Sequence, residues 1–141
     1  MDNWDETFSK HKTIEEFPEV DGINKKIIYL YIKFPLMMDD RDIVMERKTW
    51  KEYNGNKNCF LSVSKSVEHP KVPVNKKVIR ADMILNGMYL IDNGQGETNI
   101  FLVNSVDLKV TTGISFARSK AKKSPKEFVE NLTKYCKKCT K

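Results

Sequence analysis

The hydrophobic periodicity of this chain changes once, and that change limits its folds more than any other feature. Between Lys25 and Leu108 apolar residues recur at every second position in short runs; from about Gly113 they recur about every 3.6 residues. A chain patterned in this way builds a sheet first and closes it with a terminal helix. The predicted class is α+β, with consecutive antiparallel strands and one long helical segment at the carboxy end.

The runs place the elements. His11–Phe17 is a short strand stopped by Pro18 and the Asp21-Gly22 turn. Lys25–Phe34 is β-branched and aromatic, with Ile28, Leu30, Ile32 and Phe34 on one face and Ile27, Tyr29 and Tyr31 on the other. Arg41–Lys51 sets Ile43, Met45 and Arg47 against Val44, Glu46 and Lys48, and the Asn54-Gly55-Asn56 turn leads to a strand at Asn58–Val67. Lys76–Leu85 and Met88–Ile91 read as a hairpin about Asn86-Gly87. Gly94–Gly96 makes the next turn and Thr98–Leu108 the last strand. Upstream, Asp2–Lys10 carries Trp4 and Phe8 at helical spacing. In the tail, Ser124-Pro125-Lys126-Glu127 has the N-cap, N1 and N3 residues of a helix start, followed by the stripe Phe128, Leu132, Tyr135 and Cys139. The tail is one helix bent at Pro125, or two helices in sequence.

Length and charge narrow the classes further. A chain of 141 residues without repeat, linker or composition break is most economically one domain over 1–141. No run approaches the roughly 18 apolar residues of a membrane helix. The amino end has neither a basic nor an apolar leader region, so no secretory signal is expected. Three cysteines, Cys59, Cys136 and Cys139, make an odd count, which points to a reducing compartment and a cytoplasmic location. The net charge of +6 is unevenly spread. Lys109–Lys141 holds ten Lys/Arg against Glu127 and Glu130, a net +8, which leaves −2 on the other 108 residues. A basic tail of this kind suits an anionic surface, whether lipid headgroups or phosphates, as readily as it suits a solvated helix face.

Candidate chemistry is sparse. Cys136-Lys137-Lys138-Cys139 has the spacing of a metal or redox pair, but the second ligand pair is missing and the motif ends a helix, where packing is the plainer role. Asp39, Asp40 and Asp42 form an acidic cluster with no histidine or second acidic motif to complete it; a salt-bridged turn is the better reading. No Gly-rich phosphate loop and no nucleophile or zinc motif occurs. No catalytic residue, cofactor or metal is therefore expected. Nucleic-acid binding is disfavoured because the aromatics lie in strands and the lysines in the tail. Two apolar faces on Lys25–Phe34, with Arg47 beside Ile43 and Met45, leave two readings open. One is a pocket for an amphiphile; the other is a packed core with Arg47 reaching outward to solvent.

The same residues resemble a known family. "KFPLMMDDRDIVMER" at Lys33–Arg47, "SVEHPKVP" at Ser66–Pro73, "VIRADMILNG" at Val78–Gly87, "VDLK" at Val106–Lys109, "KKSPKEFVENLTKYC" at Lys122–Cys136 and the Trp4-Asp5 pair are similar, in order, to landmarks of StAR-related lipid-transfer (START) domains. The resemblance implies a helix-grip fold: a curved antiparallel sheet wrapped on a long carboxy-terminal helix, enclosing a tunnel for one lipid. It implies non-enzymatic lipid binding and transfer between membranes, with a lipid-sensing or partner-binding regulatory module as the alternative. It places Leu30, Ile32, Ile43, Met45, Arg47, Asp82, Ile84, Phe116, Phe128 and Leu132 around the lipid. Lys120, Lys122, Lys123 and Lys126 would touch an anionic membrane, in transient association. Arg47 matches the family's inward arginine, and Asp82, inward by alternation with Val78 and Ile84, is its expected counter-charge. Asp39–Asp42 becomes a turn between two strands, its ends tied by Arg41 and Asp42. Met1 stands where phosphatidylcholine-specific members carry an arginine, and Leu30, Ile43 and Ile84 stand where they carry a choline cage. Choline capture is thus not expected, and the pocket suits a sterol, a diacyl lipid with another headgroup, or a ceramide. The family's first helix and first strands have no counterpart in this sequence. Either the sequence is a fragment of a longer one, or another copy supplies the missing sheet edge by self-association.

Overall fold

The computed structural model describes residues 10–34, 38–111 and 113–139, without the helical side chains at 116, 117, 120, 121, 124, 138 and 139. The expected helix at Asp2–Lys10, with Trp4-Asp5, lies outside the described residues apart from Lys10.

Among the described residues, seven strands and one helix follow in chain order: β1 (Lys10–Glu16), β2 (Ile23–Ile32), β3 (Arg41–Trp50), β4 (Cys59–Ser66), β5 (Ile79–Arg80), β6 (Asp82–Asp92), β7 (Thr98–Asp107) and α1 (Ile114–Cys139). The sheet order is β1-β2-β3-β4-β6-β7, antiparallel throughout, and the two-residue β5 pairs parallel with β3. Short turns suffice because sequence neighbours are spatial neighbours. At Asp21-Gly22 and Asn54-Gly55 both residues have positive φ, the pairing that a tight hairpin with matching twist requires.

One expected turn is absent. Asn86-Gly87 runs straight through the middle of β6: Asn86 faces Ser64 of β4 and Asn104 of β7, and Gly87 faces Val63 and Val103. Neither residue has the positive φ of a two-residue turn. Tertiary pairing overrides the local signal here. A straight β6 bonds to strands on both sides, whereas a turn would leave those backbone groups unpaired. The reversal comes later, where Asn93 Oδ1 accepts hydrogen bonds from the amides of Gln95 and Glu97.

Strand pairing sorts the side chains. Ile28 lies opposite Met45 and Leu30 opposite Ile43. These four, with Ala81 and Met83, form the buried core, flanked by Ile32, Val106 and Leu108. Each fully buried side chain of this size contributes about 1.5–3 kcal/mol. The other sheet face is also apolar near its middle, where Ile27 and Val44 are buried. The segment at 69–73 is tied across that face: His69 Nε2 lies 2.8 Å from Glu15 on β1, and Arg80 donates to the carbonyls of Val72 and Pro73. The expectation of a strand with two apolar sides holds.

A register shift between Met83 and Leu85 breaks the alternation of β6. One extra residue there puts Met83 on the core face together with Asn86 and Met88, although their numbers differ in parity. In the tail, the Ser124-Pro125 signature does not start a helix. α1 begins at Ile114, directly after Gly113 in the left-handed region, and passes through Pro125 unbroken.

Candidate functional site

The loop between β2 and β3 shows what the acidic run does. Asp40 accepts hydrogen bonds from the Tyr31 hydroxyl and, at 2.9 Å, from the Phe34 amide. Those bonds, the tyrosine's first, hold the Asp40 carboxyl below its usual range and raise the Tyr31 hydroxyl. Asp42 is buried and receives Arg80 through Nε at 2.7 Å and Nη2 at 3.1 Å. Arg41, 3% exposed, donates to the carbonyls of Asp39, Leu108 and Lys109, and its guanidinium lies 4.8 Å from the Phe34 ring centre. Arg41 and Asp42 therefore tie the turn ends to other segments rather than to each other. Arg41 in particular fixes the start of β3 to the chain just ahead of α1.

Arg47 has different surroundings. It is partly buried on the core face, and its Nε donates to Ser64 Oγ at 3.2 Å. Burial alone pulls its pKa below the ordinary guanidinium value. His11, on β1 opposite Leu30, is held below the ordinary imidazole range by desolvation first and by the Arg47 charge second.

Cross-strand pairs share a face, so the register continues the polar line. Lys26 lies opposite Arg47, Arg47 opposite Ser64, Ser64 opposite Asn86, and Asn86 opposite Asn104. A polar row thus crosses the core face of the sheet. On one side of it lies the closed cluster of Ile28, Leu30, Ile43, Met45 and Met83. On the other lie Met88, Leu90, Ile100 and Leu102, which are less completely covered. Ser64, Asn86, Asn104 and His11 escaped the sequence reading, because Asn86 looked like a turn and serines in strands carry no signal of their own.

The expected lining residues separate. Leu30, Ile43 and Met45 sit in the core at 1–3% exposure, with Ile32 at its margin. Arg47 shares their face. Asp82 does not: it is exposed opposite Asp107, on the far face from its buried neighbour Met83. Ile84, at the register shift, is 59% exposed. The expected Arg47–Asp82 pair is corrected on this point. The inward parity of this segment is set by Ala81 and Met83, and Arg47 bonds to Ser64. On α1, Glu127, Phe128, Asn131, Leu132 and Tyr135 form the partly covered stripe, while Lys122, Lys123 and Lys126 are exposed. The side chains of Phe116 and Lys120 lie outside the described residues. Cys136 is exposed and Cys59 is buried. An open depression of about 430 Å³ between two turns, lined by Glu19, Asp21, Lys51 and Glu52, is too polar for an apolar guest.

This arrangement has relatives. The family model described as START domain matches residues 1–141. The chain belongs to the START domain family. Human StAR-related lipid transfer protein 5 matches with a TM-score of 0.81 and 21% identity, over 98% of this chain and 64% of that one. Human STARD10 matches with a TM-score of 0.77 and 22% identity, over 96% of this chain and 52% of that one. The lipid transfer and protein localization domain of human StarD13 (DLC2) matches with a TM-score of 0.63 and 22% identity, over 77% and 52%. At these identities the likeness is one of fold: a curved antiparallel sheet with a carboxy-terminal helix, the helix-grip architecture of START domains. This START chain spans between 52% and 64% of the length of these structures. No curated protein sequence matches it. START domains generally bind and transfer lipids and are typically non-enzymatic. Among the described residues no helix is long and apolar enough to cross a membrane.

Proposed function

We propose that this START chain binds one lipid molecule on the core face of its sheet, beneath α1, and carries it between membranes without covalent chemistry. The observation that carries the reading is the amphiphilic division of that face under a START-family fold. A polar row with two cations, Lys26 paired to Glu16 and Arg47 bonded to Ser64, borders apolar surface of unequal closure. Leu30, Ile32, Ile43 and Met45 are the closed floor, Arg47 orients the polar end, and Phe128 and Leu132, with Phe116, are the contacts from the helix. Asp82 and Ile84 have no part in it. Lys122, Lys123 and Lys126, with Lys120, hold the helix against anionic headgroups, each contributing about 1 kcal/mol near such a surface. The carrier works in the cytoplasm and touches membranes transiently. Self-association runs through the outer edge of β7, where Phe101 and Val103 are exposed. Transfer of fluorescent lipid between donor and acceptor vesicles tests the reading. Transfer should accelerate with protein and rise further on anionic acceptors. No acceleration by folded protein overturns the carrier role.

A further inference from the structure

Resting on the lipid-carrier reading, we propose that a second copy of this chain pairs its β7 antiparallel along β7, about a two-fold axis at Phe101. Each copy's Ile100 and Leu102 then complete the side wall of the other's lipid site. The two ends of the sheet are built differently. β1, at one end, carries Lys10, Lys12, Glu15 and Glu16 and a register shift at which Ile14 is the extra residue. Charges and a bulge are what keep an edge strand from pairing with another chain. β7, at the other end, has none of these. It is ten residues long, and Thr98–Val106 holds no charge, no proline and no glycine. Among the described residues no strand pairs along its outer side.

The side chains say what kind of neighbour fits. Phe101 and Val103, on the outer face, are 58% and 55% exposed, and Leu102, on the core face, is 36% exposed. A helix laid on one face would leave the other bare. A strand laid alongside covers both, because its own side chains alternate between them. A second β7 matches in particular. Asn99-Ile100-Phe101-Leu102-Val103-Asn104 is an apolar tetrad between two asparagines, and it reads much the same in either direction. With the axis at Phe101, Ile100 faces the partner's Leu102, Asn99 faces the partner's Val103, and Phe101 faces the partner's Phe101. No two like charges meet within Thr98–Asn104. The assembly stops at two, since it uses up both β7 edges and leaves only the protected β1 edges free.

The lipid site gains from this pairing. Its less covered half, at Met88, Leu90, Ile100 and Leu102, runs out at the β7 edge. A two-fold axis perpendicular to the sheet reverses the strand without turning its faces over. The partner's Ile100 and Leu102 therefore continue the same apolar surface past that edge. An acyl chain lying there is covered on the flank that a single copy leaves open to water.

The test is sedimentation velocity of the chain, with native mass spectrometry after incubation with vesicles of phosphatidylcholine, phosphatidylserine and cholesterol. Wild type should sediment at twice the 16.4 kDa chain mass and retain lipid. Phe101→Lys and Phe101→Glu each set like charges directly opposite one another, so each alone should be monomeric. Their urea midpoints should stay near wild type, because Phe101 lies on the exposed face away from the core. Each monomer should retain about tenfold less lipid per chain, the size of an ordinary coupling between sites. Mixed in equal amounts, the two variants set Lys opposite Glu and should recover both the dimer and the lipid. A monomeric wild type, or a Phe101→Lys protein that still dimerises, overturns the pairing and leaves the carrier reading standing. Variants that fail to pair on mixing overturn the axis at Phe101. Monomeric variants that hold as much lipid as wild type overturn the shared wall. A wild-type dimer that retains no lipid overturns the shared wall and the carrier reading with it.

Discussion

The carboxylate of Asp42 and the guanidinium of Arg80 meet through two hydrogen bonds, Nε to Oδ1 at 2.7 Å and Nη2 to Oδ2 at 3.1 Å. Asp42 is almost fully enclosed, and the same arginine reaches the carbonyls of Val72 and Pro73. The pair thus fixes β3 to β5 and draws the 69–73 segment onto the sheet. Arg80→Met leaves a buried carboxylate without its partner and should cost about 3–5 kcal/mol in urea denaturation. Arg80→Met with Asp42→Leu should recover part of that loss. An Arg80→Met protein as stable as wild type would show that the pair is not structural.

Arg41 should control the segment that leads into α1. Its fork spans carbonyls at Asp39, Leu108 and Lys109, and a lysine cannot satisfy all of them from one geometry. Arg41→Lys should raise amide hydrogen exchange at residues 108–111 and at the start of α1, leaving β1 and β2 protected. Uniform change across the sheet would count against a local anchor.

Gly113 should resist a side chain. Its φ of +74° lies in the left-handed region, and an added Cβ would come 3.1 Å from Met38 Sδ. Gly113→Ala should destabilise by about 1 kcal/mol, most of it backbone strain, since the methionine end can move. Met38→Ala in the same background should recover little. Full recovery would assign the cost to the contact instead.

Acid should unfold the protein in two stages. His11 has a folded pKa below its ordinary 6.5, so below that pH the unfolded chain takes up the proton first and stability starts to fall. Asp40, Glu15 and Glu16 have folded pKa values below 3.8, 4.5 and 4.5. Their stabilisation is full above those values and is lost as the pH falls toward the lower folded ones. Denaturation midpoints measured from pH 7 to 3 should show both stages, and His11→Gln should remove only the first. A first stage unchanged in His11→Gln would move its origin elsewhere.

Most of the architecture was legible because local pattern and tertiary pairing agree. The alternation at Ile28, Leu30, Ile43 and Met45, the turns at Asp21-Gly22 and Asn54-Gly55, and the change of period near Gly113 all reappear as built. Asn86-Gly87 misled because strand partners on both sides outweigh a turn signal. Asp82 misled because alternation is a counting rule, and the shift between Met83 and Leu85 changes the count. Arg47 was found from its place beside Met45. Its polar neighbours were not, since Ser64, Asn86 and Asn104 meet it only through the register of separate strands.

The most direct test of the account is photolabelling with a phospholipid that carries a diazirine near the end of one acyl chain, followed by peptide mapping. One label per chain is predicted, on β6 and β7 near Met88, Leu90, Ile100 and Leu102 and on α1 near Phe128 and Leu132. Labels confined to the opposite sheet face, around Tyr29, Val44 and Phe101, or no label on folded protein, would contradict a lipid held between the core face and the helix.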